Sequence, residues 1–215
     1  MLSRVEPGLA EPSRPRPGVG LFLDQRENRA RLARLARSGG VWLNLFAHTG
    51  AFSLALLDGG AERVVSVDLS AAYLRWLQDN LDLNRHAGID PSRHQAVRQD
   101  GRRYLAALPR AERFAGIVLD PPTAAAAGRR FWSIRRDLEP LVGQALGRLE
   151  SGGMLLVCRN DRSSTAALRS LVERAAGANG VRLQRLDPAG AGPDFPRMPE
   201  FSEGQPFVGV LAQRF

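Results

Sequence analysis

The chain has no lysine, a single cysteine and no long apolar run. All 30 of its basic residues are arginine. Without lysine there is no phosphate-binding loop of the Gly-Lys-Ser/Thr type, which argues against a P-loop kinase or ATPase. The lone Cys158 excludes an intramolecular disulfide and is typical of a reducing cytoplasm, where we expect the protein to act. No stretch approaches the ~18 apolar residues that cross a bilayer and Met1 opens no signal peptide, so we expect no membrane association.

Length and net charge indicate the number of domains and the kind of partner. A chain of 215 residues with 44% hydrophobic and 24% charged residues is typical of one globular domain. Prolines and glycines concentrate before residue 20, so we expect an extended arm over residues 1–20 and one domain over residues 21–215. The formal net charge of +8 favours nucleic acid as the partner, although the preference for arginine alone also fits codon bias.

Apolar runs alternate with helical patterns along the chain. Such alternation predicts a mostly parallel sheet with helices on both faces, here a Rossmann-like α/β fold of seven strands. The predicted strands are Val41–Phe46, Arg63–Val67, His94–Arg98, Phe114–Leu119, Met154–Cys158, Val181–Leu186 and Phe207–Gln213. Between them, the predicted helices cover Ala51–Leu57, Ser70–His86, Arg102–Leu108, Ile134–Leu149 and Ser164–Ala176, with one more helix from Gln25 to about Arg37. No helical pattern separates the final two strands, so we expect the last strand to be antiparallel.

Polar residues follow the first three predicted strands. A Thr49-Gly50 turn follows the first, Asp68 ends the second and Asp100 follows the third. Ligands of open α/β sheets bind beyond the carboxyl ends of the strands, where an acidic residue after the second strand commonly holds a ribose. Each aspartate could instead cap the helix that follows it. Together they favour a nucleoside cofactor, and a dinucleotide is disfavoured because no Gly-x-Gly-x-x-Gly follows the first strand.

The fourth predicted strand ends in Asp120-Pro121-Pro122-Thr123. Two prolines remove two backbone donors and hold φ, so the carbonyls and the carboxylate keep a constant direction. Such an edge can accept hydrogen bonds from an amino-bearing base. Together with the run Asn44–Ser53 it indicates a methyltransferase that uses S-adenosylmethionine (SAM) and acts on a nucleobase.

Four segments resemble one family. They are Gly20–Asn28, Asn44–Ser53, Val67–Ser70 and Asp120–Thr123. They resemble the class I SAM-dependent methyltransferase domains of bacterial 23S ribosomal RNA enzymes, which make 7-methylguanine or 5-methylcytosine. The resemblance extends from about residue 18 to the end of the chain.

The resemblance implies a set of cofactor residues. The turn would face the methionine part, Asp68 would hold the ribose, and Asp100 the adenine. The implied cofactor residues are Gln25, Arg26, Phe46, Thr49, Gly50, Asp68, Leu69, Asp100, Gly101 and Asp120. Gln25 and Arg26 would close over the cofactor, or alternatively only begin a helix. His48 replaces an aromatic residue of many relatives. Relatives also carry an added RNA-binding domain before this core, for which the chain has no room, so we expect a partner or a homodimer to assist RNA recognition.

The residue types bear on which atom is methylated. Carbon-5 of cytosine needs a thiolate that first adds to the ring. Cys158 is the only candidate, yet the nucleophile of the cytosine enzymes matches position 159, and one residue along a strand reverses the face. Guanine N7 has a free lone pair and needs neither nucleophile nor base. We therefore predict N7 methylation, with Asp120, Pro121, Pro122 and Asn160 holding the base. Cytosine, DNA or a small molecule are alternative substrates, and a non-catalytic RNA-binding subunit is an alternative of another class.

The residues after the two prolines suggest a surface for the substrate. Thr123 cannot stack on a base, whereas Phe131 or Trp132 could, unless both belong to the core. Arginines surround them, which suits an unpaired base with flanking phosphates, or a solvated helix start. The predicted substrate residues are Thr123, Arg129, Arg130, Phe131, Trp132 and Arg135. Three scattered histidines and one cysteine do not suggest a metal site.

Overall fold

A computed structural model describes residues 20–127, 130–161, 163–195 and 207–215. The predicted arm lies almost wholly outside these residues, so the division at residue 20 stays a prediction. Arg129 also lies outside the described residues.

The strands of the described residues are β1 (Val41–Leu45), β2 (Arg63–Asp68), β3 (His94–Arg98), β4 (Phe114–Leu119), β5 (Ala124–Ala127), β6 (Arg130–Ser133), β7 (Leu149–Arg159), β8 (Leu183–Pro188) and β9 (Val208–Arg214). Seven of them form the central sheet in the order β3-β2-β1-β4-β7-β9-β8, while β5 and β6 pair separately. Strands β3, β2, β1, β4 and β7 are parallel, and β9 runs antiparallel to both β7 and β8. This confirms the predicted Rossmann-like class with its antiparallel last strand.

Six helices cover the two faces of the sheet in the described part of the chain. They are α1 (Arg26–Leu35), α2 (Ala51–Gly59), α3 (Ala71–Leu83), α4 (Gly101–Ala107), α5 (Ile134–Leu146) and α6 (Thr165–Ala178). Helices α1 to α3 bury residues such as Leu32, Leu56 and Leu77 on one face, while α5 and α6 bury residues such as Leu138 and Leu168 on the other. None of the helices described is long and apolar enough to cross a bilayer.

The boundary between α5 and β7 was predicted wrongly, and β7 begins at Leu149 rather than Met154. Helix α5 ends at Leu146 rather than Leu149, with Gly147 as its C-cap. The pair Gly152-Gly153 lies inside β7, where the pairing with β4 shifts register. A glycine with φ of +78° at position 152 suits this irregularity, since L side chains rarely adopt such a backbone.

A short hairpin, β5 and β6, follows the Asp-Pro-Pro-Thr segment, where the sequence predicts only a loop. Ala124 pairs with Ser133 and Ala125 with Trp132 in antiparallel register. The hairpin leads directly into α5. The hairpin brings the Trp132 side chain back to Pro122, whose carbonyl accepts from Trp132 Nε1 at 2.7 Å.

Candidate active site

A cleft of about 490 Å³ opens at the carboxyl ends of β1, β2 and β4. It collects most of the predicted site residues from seven separate parts of the chain. Those that line it are Gln25, Phe46, Thr49, Asp68, Leu69, Asp100, Gly101, Asp120, Pro121, Pro122, Thr123, Trp132 and Asn160. The carboxyl ends of parallel strands share one edge of the sheet, which is why residues so distant in sequence converge.

The turn between β1 and α2 has an unusual backbone. Phe46 and His48 have φ angles of 60° and 50°, and Gly50 has φ of 83°. A Cβ on Gly50 would lie 2.4 Å from the Cγ atom of Leu77 on α3, so only glycine fits there. Gly50 itself is not among the lining residues; it shapes the turn and serves as the N-cap residue of α2.

Thr49 holds the turn against two other elements. Its hydroxyl donates to the Gly20 carbonyl, and its own carbonyl accepts from Asn80 Nδ2 at 2.8 Å. Thr49 is buried, so these bonds are shielded from water. The predicted cofactor residue Thr49 therefore lines the cleft and also ties the segment before α1 to it.

Asp68 presents a carboxylate whose orientation is held by two backbone amides. Oδ2 accepts from the His48 amide at 2.9 Å, and Oδ1 accepts from the Ser70 amide at 2.8 Å. Each oxygen has a further lone pair, so a diol such as ribose could donate to both. Ser70, not Asp68, is the N-cap of α3, because its side chain accepts from the Tyr73 amide.

The His48 ring forms part of the wall beside Asp68. It lies 4.1 Å from the Tyr73 ring and 5.5 Å from the Phe22 ring, measured between centroids. Burial lowers the pKa of His48, and the nearby Asp68 carboxylate opposes this only in part. His48 is therefore neutral near pH 7, and its ring forms part of an aromatic wall with Phe22 and Tyr73.

Asp100 caps helix α4 and also lines the cleft, so capping the helix does not prevent it from facing a ligand. Its Oδ1 atom accepts from the amides of Arg102 and Arg103 at the start of α4. Burial raises the pKa of Asp100, but these bonds and the Arg102 guanidinium outweigh it and hold the pKa below its ordinary value. The carboxylate is ionised at neutral pH and can accept a further donor at the edge of the cleft.

Asp120 lies at the floor of the cleft. It accepts a hydrogen bond on Oδ2 from Gln25 Nε2 at 3.2 Å. Burial, and next the neighbouring carboxylate of Asp24, raise the pKa of Asp120 to about 7, although the bond from Gln25 acts in the opposite direction. A carboxyl group that changes charge near neutral pH is typical of a functional site.

Bonds from distant residues hold the segment around the two prolines. Trp132 Nε1 donates to the Pro122 carbonyl at 2.7 Å, and the Thr123 hydroxyl donates to the Asn160 carbonyl. The Ile134 amide donates to the Thr123 carbonyl at 3.1 Å. The segment is therefore rigid for two reasons, namely its prolines and its attachment to β6, α5 and the end of β7.

Two predicted residues have other roles in the structure. Trp132 is 2% exposed and therefore belongs to the core. It supports Pro122 by a hydrogen bond, and its ring centroid lies 5.3 Å from that of Phe46, so it does not present a free face for stacking. Arg26 is not among the lining residues. Its half-exposed guanidinium forms bonds of 2.8 and 2.7 Å with Asp194.

Phe131 and Arg135, two further predicted substrate residues, are not among the lining residues. Phe131 is 57% exposed, and Arg135 is exposed at the start of α5. Arg130 belongs to β6, and its role stays a prediction.

Sequence reasoning also missed several residues that line the cleft, among them Phe22, Asp24, Arg29 and Tyr73. Asp24 lies within the Gly20–Asn28 segment that carries the resemblance, and could have been found there. Arg29 is 5% exposed and donates to the Phe22 carbonyl at 2.8 Å. A buried arginine in a helix has no distinguishing pattern among 30 arginines, so the sequence offers no signal for it.

Cys158 is buried, and its Sγ atom lies 3.9 Å from Gln25 Oε1. Burial, and next the charge of Asp120, raise the pKa of the thiol well above its ordinary value. Because the thiolate is the nucleophilic form, Cys158 is not set up to attack a ring carbon. Cys158 is not among the residues that line the cleft.

We expect Cys158→Ala to keep kcat within about threefold of the wild type, at a cost of about 1 kcal/mol in unfolding free energy from the lost packing. N-ethylmaleimide should not react with the native protein but should react after unfolding in urea. Loss of methyl transfer in a folded Cys158→Ala protein would contradict this assignment.

Comparison with known proteins identifies the family. A family model described as S-adenosylmethionine-dependent methyltransferase matches residues 13–208. The chain belongs to this family. It is therefore an enzyme that uses SAM, and the resemblance noted in the sequence is confirmed.

Individual relatives agree with this assignment. The chain is 38% identical over 184 residues to the ribosomal RNA large subunit methyltransferase K/L of Chromohalobacter salexigens, covering 85% of this chain and 23% of that protein. It is 40% identical over 148 residues to the ribosomal RNA large subunit methyltransferase K of Neisseria meningitidis serogroup B, covering 67% and 41%. The methyltransferase SMU.776, solved in complex with SAH, has a TM-score of 0.76 at 26% identity and covers 90% of this chain and 50% of that one. The chain thus spans less than half the length of the two ribosomal RNA methyltransferases.

The cleft fits SAM on its own chemistry. It combines apolar walls from Phe22, Phe46 and Leu69 with carboxylates at the ends of β2 and β3, as an adenosine needs. Asp68 would hold the ribose and Asp100 the adenine amine, while the turn at Thr49 would face the methionine part. In the described residues no group of histidine, cysteine and carboxylate side chains is arranged to hold a metal ion.

Proposed function

We propose that this chain methylates N7 of a guanine in large-subunit ribosomal RNA. The observation that carries the proposal is Asp120, a carboxylate at the floor of the cleft with its Oδ1 atom unbonded to the described residues. The relatives named for ribosomal RNA methylation support the substrate class. A cytoplasmic site of action is part of the same proposal.

The proposed chemistry asks little of the protein beyond positioning. When bound, the cofactor supplies an electrophilic methyl group on a sulfonium. Asp120 and the Pro121 carbonyl would accept hydrogen bonds from the guanine amine, and Asn160 would assist from the end of β7. With the base held in this way, N7 can use its own lone pair, so no general base is required. The raised pKa of Cys158 supports N7 over cytosine C5.

The surface beside the cleft supports a nucleic acid substrate. Phe131 projects with 57% exposure from β6, and the exposed Arg135 and Arg136 follow it at the start of α5. An exposed aromatic ring among guanidinium groups suits an unpaired base and its flanking phosphates. A homodimer or a partner that assists recognition stays a prediction.

The experiment is transfer of tritium from methyl-labelled SAM to deproteinised total RNA and, in parallel, to DNA, followed by nucleoside analysis. We expect the label in 7-methylguanosine from 23S ribosomal RNA and at least tenfold less in DNA. Label in 5-methylcytidine, or in DNA alone, would overturn the proposal. No label in either pool, with SAM binding shown by calorimetry, would also overturn it for free RNA and would direct the search to ribosomal particles or small molecules.

A further inference from the structure

Two buried side-chain amides connect Asp120 to the far edge of the sheet. Gln25 and Asn28 are each 3% exposed. Asn28 Nδ2 donates to Gln25 Oε1 at 2.8 Å and to the Ala189 carbonyl at 2.9 Å. Gln25 Nε2 then donates to Asp120 Oδ2 at 3.2 Å. The series runs from the residue after β8, through the first turn of α1, to the floor of the cleft.

Only one orientation of both amides is consistent with this series. The Ala189 carbonyl can only accept, so the NH₂ group of Asn28, and not its oxygen, must face it. The second proton of that NH₂ group then requires the Gln25 oxygen. Gln25 is left with its NH₂ group toward Asp120, which must therefore act as an acceptor.

The start of the series is itself held in place. The Ala189 amide donates to the Gly209 carbonyl on β9 at 2.9 Å. A Cβ on Gly209 would lie 2.1 Å from the Ala189 oxygen, so the close approach of these two backbones needs glycine. The Ala189 carbonyl is thus a fixed acceptor, attached to the antiparallel edge of the sheet.

We propose that Gln25 and Asn28 form an amide relay that orients Asp120 as a hydrogen-bond acceptor toward the cleft and so restricts the target to bases that present an amino group. Oδ2 is occupied by Gln25, which leaves Oδ1 for the target. Gln25 is then a positioning residue for Asp120 rather than a lid over the cofactor. The restriction to amino-bearing bases rests on the proposed function, whereas the orientation of Asp120 does not.

The charge of a neighbouring carboxylate acts on the pKa of Asp120 in the opposite direction to the bond from Gln25. Asp24, in the turn before α1, raises the pKa of Asp120 by its charge, and Arg29 on α1 acts on Asp24 in the opposite sense. The Cys158 thiol on β7 is neutral and lies against Gln25. The donor from Gln25 is thus the group that favours ionised Asp120, and its removal should favour the protonated form, which cannot accept an amine in the same way.

The test follows the carboxyl carbon of Asp120 by ¹³C NMR between pH 4 and 10, with its signal assigned by its loss in Asp120→Asn. In Gln25→Met, which keeps the side-chain length but lacks the donor, we expect the midpoint of the Asp120 titration to rise by about one pH unit. Gln25→Glu keeps the shape and provides a second variant if Gln25→Met does not fold. It should raise the midpoint further, because two carboxylates would share one proton.

Arg31→Ala is the matched control. Arg31 also joins α1 to the segment after β8, through the Pro188 carbonyl and Asp187, but it does not contact the relay. Its midpoint should equal that of the wild type. Equal midpoints in all of these proteins would overturn the relay.

The same proteins are then assayed for methyl transfer to total ribosomal RNA across pH. The rate should rise with pH, and the midpoint of this rise should be displaced upward in Gln25→Met. A displaced NMR midpoint without any labelled RNA would keep the oriented Asp120 and overturn the proposed function. Labelled RNA together with an unchanged NMR midpoint would support the proposed function and overturn the orientation of Asp120 by Gln25.

Discussion

Asp120→Asn is expected to lower kcat for RNA methylation by about 100-fold at pH 8, with the affinity for SAM changed less than about fivefold. The substitution keeps the shape but replaces a charged acceptor, and a hydrogen bond to a charged group contributes about 1.5–3 kcal/mol. The measurement is single-turnover transfer at saturating SAM, together with calorimetry of SAM binding. Asp187→Asn, at a half-buried aspartate in β8 away from the cleft, is the control and should keep full activity.

The same variant should be more stable than the wild type at pH 8. The folded-state pKa of Asp120 is about 7, above the ordinary 3.8, so the folded protein binds the proton more tightly than the unfolded chain. Stability from this group is present below about pH 4 and is lost as the pH rises through about 7. We expect Asp120→Asn to raise the unfolding free energy at pH 8 by on the order of 2 kcal/mol and to change it little at pH 4. Urea titrations at both pH values measure this, and reduced stability at pH 8 would contradict the buried-carboxylate account.

Asp68→Ala is expected to weaken SAM binding by about 100-fold or more. Its two carboxylate oxygens are held by the His48 and Ser70 amides, so alanine removes both the proposed ribose acceptor and the brace of the turn. Two charged hydrogen bonds of about 1.5 kcal/mol or more each account for the magnitude. Calorimetric titration with SAM provides the measurement.

Asp90→Ala is the matched control for Asp68→Ala. Asp90 likewise accepts from the backbone amide two residues later, that of Ser92 at 2.9 Å, but it lies away from the cleft. Both variants should lose about 1 kcal/mol of stability, and only Asp68→Ala should lose the cofactor. Wild-type affinity in Asp68→Ala would show that the carboxylate does not bind the ribose.

The main sheet could be predicted because its signals are local. Apolar runs of five or six residues followed by glycine or aspartate mark β1, β2 and β4 within one residue of their true ends. The hairpin β5–β6 was missed because alanine has low strand propensity, so Ala124–Ala127 has no strand pattern of its own. The bond from Trp132 to the Pro122 carbonyl, which accompanies this pairing, is a contact that the sequence pattern does not reveal.

The strand-end carboxylates could also be predicted to meet in one cleft. Asp68, Asp100 and Asp120 follow parallel strands, and parallel strands end at the same edge, so sequence order implies their proximity. The direction in which each side chain points could not be predicted from sequence order. Arg26 and Gln25 are adjacent in sequence, yet Arg26 pairs with Asp194 in the connection before β9 while Gln25 faces Asp120.

The sequence by itself determined the fold class, the cofactor and the positions of the carboxylates, because hydrophobic periodicity and strand ends are properties of short segments. Only the tertiary structure decided what each polar group does. The relay from Ala189 through Asn28 and Gln25 to Asp120 joins residues up to 161 positions apart. The free energy of a buried polar group depends on which partners surround it, and those partners are brought together only when the whole chain packs.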